Sequence, residues 1–181
     1  MHLILILFAC WPYRLLIITF KLLGVLFKPD LNFNEYASSI VTVCNQRLYL
    51  LSLLRKQGLG IDECDNVLHA IVLSRLLYAL PMFYHYLTSD MIERINAIFR
   101  KAHRWQLAKK VYAIEDFAEQ MQIKLFQQSK FTHHCLNHLY VTKKTDCSMN
   151  LRQRGHDFEL PSVKLDYSKK NFIVNSLFKY R

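Results

Sequence analysis

The stretch AIVLSRLLYALPMF, Ala70 to Phe83, most constrains the fold of this chain. It is almost wholly apolar, with one charge at Arg75 and one proline at Pro81. Before Pro81 it is too short for the roughly 20 apolar residues that a membrane helix needs, and Asp62, Glu63 and Asp65 stand just upstream. Val67, Leu68, Ile71, Val72, Leu76 and Leu77 cover much of a helix circumference, so the segment reads as a buried helix packed on several sides. Pro81 should kink or end it. Arg75 needs a partner or a route to the surface.

Such a helix requires other helices to cover it, and the composition supplies them. Gly and Pro number 4 each in 181 residues, against average usage of about 7% and 5%. Few turn residues and 52% hydrophobic content argue for long helices with short connections. The first begins at Ser38 or Ser39 and runs to about Gln57. It buries Ile40, Cys44, Leu48, Leu51 and Leu54, places Arg55 and Lys56 in its last turn, and stops at Gly58. Asp62 caps the next helix, and Ser89 or Asp90 the one after. Glu115 and Asp116 open a further helix pair, with Phe117, Met121 and Leu125 facing inward.

Both ends read differently. Phe20 to Phe33 predicts a β-hairpin interrupted at Gly24, with a turn at Lys28-Pro29-Asp30. Leu3 to Phe20 carries only Arg14 as a charge. It is about membrane-spanning length, but it suits two buried strands better, since a central Arg costs about 2.5–3.5 kcal/mol on insertion scales and Pro12 lies two residues before it. From Thr142 to Asn150 the pattern lapses into a polar linker, followed by a basic tail in which Ser168–Tyr180 could form a short helix. The expected fold is therefore mainly α: a helical bundle over 37–140, a hairpin over 21–36, an apolar segment over 1–20 and an irregular basic segment over 141–181.

Net charge is +10, which makes nucleic acid or an acidic membrane face the candidate partner, against a solvated basic surface with no partner. The sharpest local pattern lies in TSDMIERINAIFRKAHRWQLAKK. Ile95, Ile98, Ala102 and Trp105 form an apolar stripe, and Arg94, Lys101 and Arg104 form a basic stripe one residue earlier. With Arg100, Lys109 and Lys110 these are the candidate contacts to phosphate.

Other chemistry is sparse. The five cysteines form no CxxC and read as reduced residues of an intracellular protein. His134 and His138 stand four apart with Cys135 between them, a spacing that can share a zinc, yet only Cys147 is nearby as a further ligand. Helix-surface or capping histidines are the better reading. There is no Gly-rich phosphate loop, no GxSxG and no paired-aspartate motif for two metal ions. No small-molecule substrate and no cofactor are implied.

Four stretches occur in order: LLGVLFKPDLNFNEYASSIVTVCNQRLYLLSLLRKQGL, AIVLSRLLYALPMF, RINAIFRKAHRW, and NLRQRGHDFELP with KKNFIVNSLF. Together they resemble the region downstream of the palm in reverse transcriptases of non-LTR retrotransposons, of the jockey or chicken-repeat type. The resemblance covers about Lys21 to the C-terminus. It implies that Leu23, Gly24 and Val25 belong to a primer-grip-like strand, that Ala37 to about Trp105 form a thumb, and that Arg94, Lys101 and Arg104 lie near a template–primer duplex. It also implies a parent RNA-directed DNA polymerase that uses Mg2+. The catalytic strand-turn-strand with its two aspartates occurs nowhere in this sequence. The expectation is a truncated, non-catalytic relative with residual affinity for nucleic acid backbone. The rivals are a small membrane-anchored protein, held through Leu3–Phe20, and a remnant with no selected function.

Overall fold

The computed structural model describes residues 19–140, 156, 158–163 and 165–180. The expectations for Leu3–Phe20 as a membrane or strand segment, and for Thr142–Asn150 as a linker, lie largely or wholly outside these residues. The fold is mainly α, with one short antiparallel hairpin ahead of the helices.

The hairpin pairs β1 (Phe20–Leu22) with β2 (Val25–Phe27), with Leu22 opposite Val25. Its two-residue loop, Leu23-Gly24, has positive φ at both positions, 48° and 85°, as a loop matching strand twist requires. Val25 points into the core and Phe27 meets Phe33 edge-on at 5.6 Å. The predicted turn is present: Leu31 N donates to Lys28 O at 3.0 Å, and Asn32 N to Asp30 Oδ1 at 3.1 Å.

Helix α1 spans Asn34–Lys56, so it starts ahead of the expected Ser38 or Ser39. Neither serine caps it. Ser39 Oγ donates to Tyr36 O inside the helix, while Asn34 N donates to Asn32 Oδ1 at 2.9 Å just at the entry. The far end is as expected. Gly58, at φ 104°, follows the last turn; its N–H reaches Arg55 O at 3.2 Å and the Leu59 N–H reaches Leu54 O at 3.2 Å, closing the helix in a Schellman motif. Ile40, Cys44, Leu48 and Leu51 are buried, but Leu54 is 45% exposed. Tyr36 holds the same angular position five turns earlier and is buried. At Leu54 the phase is right and the coverage is missing.

The central segment is α2 (Ile61–Leu68), a π-helical turn (His69–Leu73) and α3 (Ser74–Leu77). Gly60, not Asp62, holds its cap position, and Asp62 and Glu63 instead fill the first turn, where carboxylates suit the dipole. Leu68, Val72, Leu73 and Leu76 are buried, Val67, Ile71 and Leu77 partly so. The Arg47 guanidinium donates to the Ile71 carbonyl in the π turn, and Cys44 Sγ lies 3.9 Å from Val72 O. Arg75 takes the surface route. The helix breaks at Tyr78 and Ala79, the latter left-handed at φ 56°, and Pro81 falls in the first turn of α4 (Leu80–Phe83). A proline tolerates a first turn but restricts what precedes it, so the break comes upstream of the ring. Among the described residues one stretch, Ile61–Tyr86, is long and apolar enough to cross a membrane by length and composition. This break lies inside it.

A 3-10 turn (Tyr84–Tyr86) leads to α5 (Ser89–Arg104), capped by Thr88 rather than Ser89 or Asp90: Thr88 Oγ1 accepts from Met91 N at 3.4 Å. Met91, Ile95, Ile98, Phe99 and Ala102 are buried against α1 and the central segment. Helix α6 (Ile114–Ser129) buries Ile114, Ala118, Gln122, Phe126 and Ser129. The expected inward residues Phe117, Met121 and Leu125 are half-buried, the first two against the main core and Leu125 against a second cluster further along the helix.

The second helix expected after α6 does not form. Residues 130–140 are a run of tight turns with a 3-10 turn at Asn137–Leu139. The short helix expected over Ser168–Tyr180 is present. Helices α7 (Asp166–Lys169) and α8 (Phe172–Lys179) follow, and Phe172 and Leu177 build a second core cluster with Phe126 and Tyr140.

Candidate nucleic-acid interface

Helices α1 and α5 run parallel and in register. Asn34 Oδ1, at the start of α1, accepts from the Thr88 backbone N–H at 3.3 Å, at the start of α5. One turn on, Arg94 Nη2 donates to Ser38 Oγ at 3.4 Å. Two turns further, Lys101 Nζ donates to Asn45 Oδ1 at 3.2 Å and sits 4.5 Å above the Trp105 ring. The apolar stripe of α5 is buried beneath: Ile95, Ile98 and Ala102 are in the core and Trp105 is half-buried. Burial of that stripe orients the neighbouring cations along the outer edge of the α1–α5 seam.

The six predicted cations divide by environment. Arg100 pairs with Glu93 at 2.5 Å and Lys109 with Asp62 at 2.9 Å. Lys110 lies 5.3 Å from the Tyr112 ring. Arg94, Lys101 and Arg104 have no carboxylate within ion-pair distance among the described residues. Arg94 and Arg104 are exposed and Lys101 is half-buried. The structure thus keeps the sequence-predicted stripe together and separates Arg100 and Lys109 from it by neutralising them.

Sequence reasoning missed the other wall of the seam. Ser38, Thr42, Asn45, Tyr49 and Ser52 recur at three- and four-residue steps and so share one face of α1. Tyr49 is 57% exposed. The signal was present as a polar stripe beside the apolar one, but nothing in the sequence said which helix would lie against it. Together the walls offer guanidinium, ammonium, hydroxyl and amide groups in a line, a donor set suited to an extended anion such as a nucleic acid backbone.

The hairpin loop stands apart from this seam. Leu23 is 81% exposed, and its carbonyl accepts from Tyr78 Oη at 2.8 Å. Gly24 is exposed and Val25 buried, so of the three hairpin residues singled out only Val25 supports the core.

A second polar cluster lies under the chain between α5 and α6. Asp65 is buried; its Oδ1 accepts from Lys109 N and from Tyr112 Oη, both at 3.3 Å, and Tyr112 Oη is 2.8 Å from His69 Nε2. Burial and the Asp65 carboxylate raise the Tyr112 phenol above its ordinary range. This cluster ties the loop after α5 to α2. Asp65 serves neither a helix cap nor a local turn; its partners lie 44 and 47 residues along the chain.

His134 and His138 do not share a helix face. His134 Nδ1 accepts from Leu136 N at 3.2 Å, within its own turn. Among the described residues no three His, Cys, Asp or Glu side chains converge as a metal site would require. In comparison with known proteins, no family model matches the chain, and no curated protein or solved structure matches it.

Proposed function

We propose that this chain is a thumb-like helical module, related to the non-LTR reverse transcriptases its sequence resembles, that grips nucleic acid backbone along the α1–α5 seam. It carries no paired aspartates to hold metal ions for nucleotidyl transfer and does no polymerase chemistry of its own. One observation carries the reading: three cations, Arg94, Lys101 and Arg104, stand in a row without carboxylate partners among the described residues, while Arg100 and Lys109 nearby are paired.

The test is fluorescence anisotropy on an RNA–DNA hybrid at roughly 50 and 200 mM salt, comparing the protein with an Arg94/Lys101/Arg104→Ala variant. Tight binding that weakens steeply with salt and is lost in the variant supports the reading. Binding that the variant retains, or none at low salt, refutes it. The rival membrane reading rests on Leu3–Phe20 and on the length and composition of Ile61–Tyr86. Alkaline carbonate extraction separates the two: a chain released from the membrane fraction ends that rival.

A further inference from the structure

The half-buried His85 sits where three parts of the fold meet. It lies in the 3-10 turn Tyr84–Tyr86, which follows α4, and α4 packs against α6. Its Nε2 is 2.9 Å from the side-chain nitrogen of Gln122, an α6 residue only 2% exposed. Helix α8 packs on α6 too, and its Lys179 bonds Glu119 Oε2 at 2.7 Å, one turn before Gln122.

We propose that His85 is an acid-sensitive latch that keeps α8 and the second core cluster seated on α6 while its imidazole is neutral. In the structure the Gln122 amide presents N–H to Nε2, which must then be the unprotonated nitrogen, with the proton on Nδ1. Protonation places an N–H on Nε2 facing an N–H donor. The amide must turn over or separate, and Gln122 is buried, so its neighbours move with it. The new cation also faces Lys179. Among the described residues, Tyr84 meets the imidazole edge-on at 5.3 Å and Lys179 on α8 acts on it electrostatically, while Glu115 and Glu119 on α6 act on the neighbouring Tyr84. Glu119 is already engaged by Lys179, so it offers the imidazolium less than its full charge.

Burial holds the His85 imidazole below its ordinary range; the Gln122 contact opposes this once the amide presents its oxygen, and Lys179 adds to it. A base with a lowered folded pKa binds protons less readily folded than unfolded. Its stabilising contribution is therefore complete above the ordinary imidazole pKa of about 6.5 and is lost as pH falls below it.

The experiment is amide hydrogen exchange of the whole chain at pH 7.5 and 5.5, corrected for intrinsic exchange rates. Expected is a several-fold drop in protection across Phe172–Lys179 at the lower pH, larger than that across α1. His85→Gln keeps a hydrogen-bonding side chain that cannot titrate and should abolish the difference. As a second readout that leaves the buried contact alone, Lys179→Met should raise the His85 titration midpoint, followed by the ring Cε1–H in NMR. Uniform protection at both pH values, an equal loss in His85→Gln, or a midpoint that Lys179→Met leaves in place each overturns the latch.

Discussion

Lys101 lies against Asn45 with the same sequence separation, 56 residues, that joins Arg94 to Ser38. Equal separations at two successive points mean that α1 and α5 advance together. Parallel helices in register turn two separate stripes, one basic and one polar, into a single seam.

The seam predicts a specific salt dependence. Replacing Arg94, Lys101 and Arg104 by Ala should flatten the log–log salt slope by about 2.7, at about 0.9 per phosphate contact. An Arg100/Lys109→Ala control should change it much less, since both side chains are already paired. Equal effects from the two variants would refute the partition of the cations.

At the hairpin tip, Leu23 holds a left-handed conformation that costs a leucine about 1–2 kcal/mol, and its side chain is 81% exposed. Leu23→Asn should therefore stabilise the protein, raising Tm by about 2–4 °C per kcal/mol recovered for a chain of this size. A fall in Tm would show that the leucine side chain packs on something after all.

Gly58 tests the end of α1. A Cβ there meets nothing within 4 Å, so any penalty comes from the backbone alone, at φ 104°. Gly58→Ala should cost about 1 kcal/mol in denaturant unfolding, and Gly58→Asn should cost less. No loss in Gly58→Ala would mean that the Schellman closure contributes nothing.

The cysteines should differ sharply in reactivity. Burial pushes the Cys44 thiol up to about 11 and also raises Cys64, while Cys135 is exposed. Alkylation of the native chain at pH 7.5, mapped by mass spectrometry, should label Cys135 before Cys44 and Cys64, which react only on unfolding. Early labelling of Cys44 would contradict its place beneath the π turn.

The Asp65 cluster should be worth about 1–3 kcal/mol. Tyr112→Phe removes the phenol's bonds to Asp65 and His69 and should lower stability within that range. A double-mutant cycle with Asp65→Asn should show coupling, because the two side chains share one hydrogen bond. Additive losses would place the stabilisation in ring packing, since Tyr112 also contacts Phe99 and Phe117.

Periodicity carried far in this chain, and its failures have a common cause. The buried faces of α1 and α5 were legible because an apolar residue every three or four positions admits one helical solution. The stop at Gly58 was legible because only glycine takes that φ cheaply. The caps were not: Ser38 and Asp62 are good capping residues, yet each lies inside a helix that starts earlier, and Ser89 is the first helical residue of α5, one past its Thr88 cap. Those helices start where tertiary packing of Phe33, Leu59 and Leu87 brings the chain in, and cap preference is too weak to shift that point. The reading of His134 and His138 as helix-surface histidines failed because it assumed a helix that the local turns around Asn137 replace.

What the sequence by itself determined is the helical class, the hairpin, and one buried face of Ala70–Phe83, the face of Val72, Leu73, Leu76, Leu80 and Phe83, all of which follow from local periodicity and from where glycine and proline are absent. It also determined which residues could be cationic. Only the tertiary structure decided which cations keep their charge unspent, because pairing depends on distances between elements far apart in the chain. It set Glu93 on Arg100 and Asp62 on Lys109, it turned Arg94 and Lys101 to the polar edge of α1, and among the described residues it gave Arg104 no carboxylate partner.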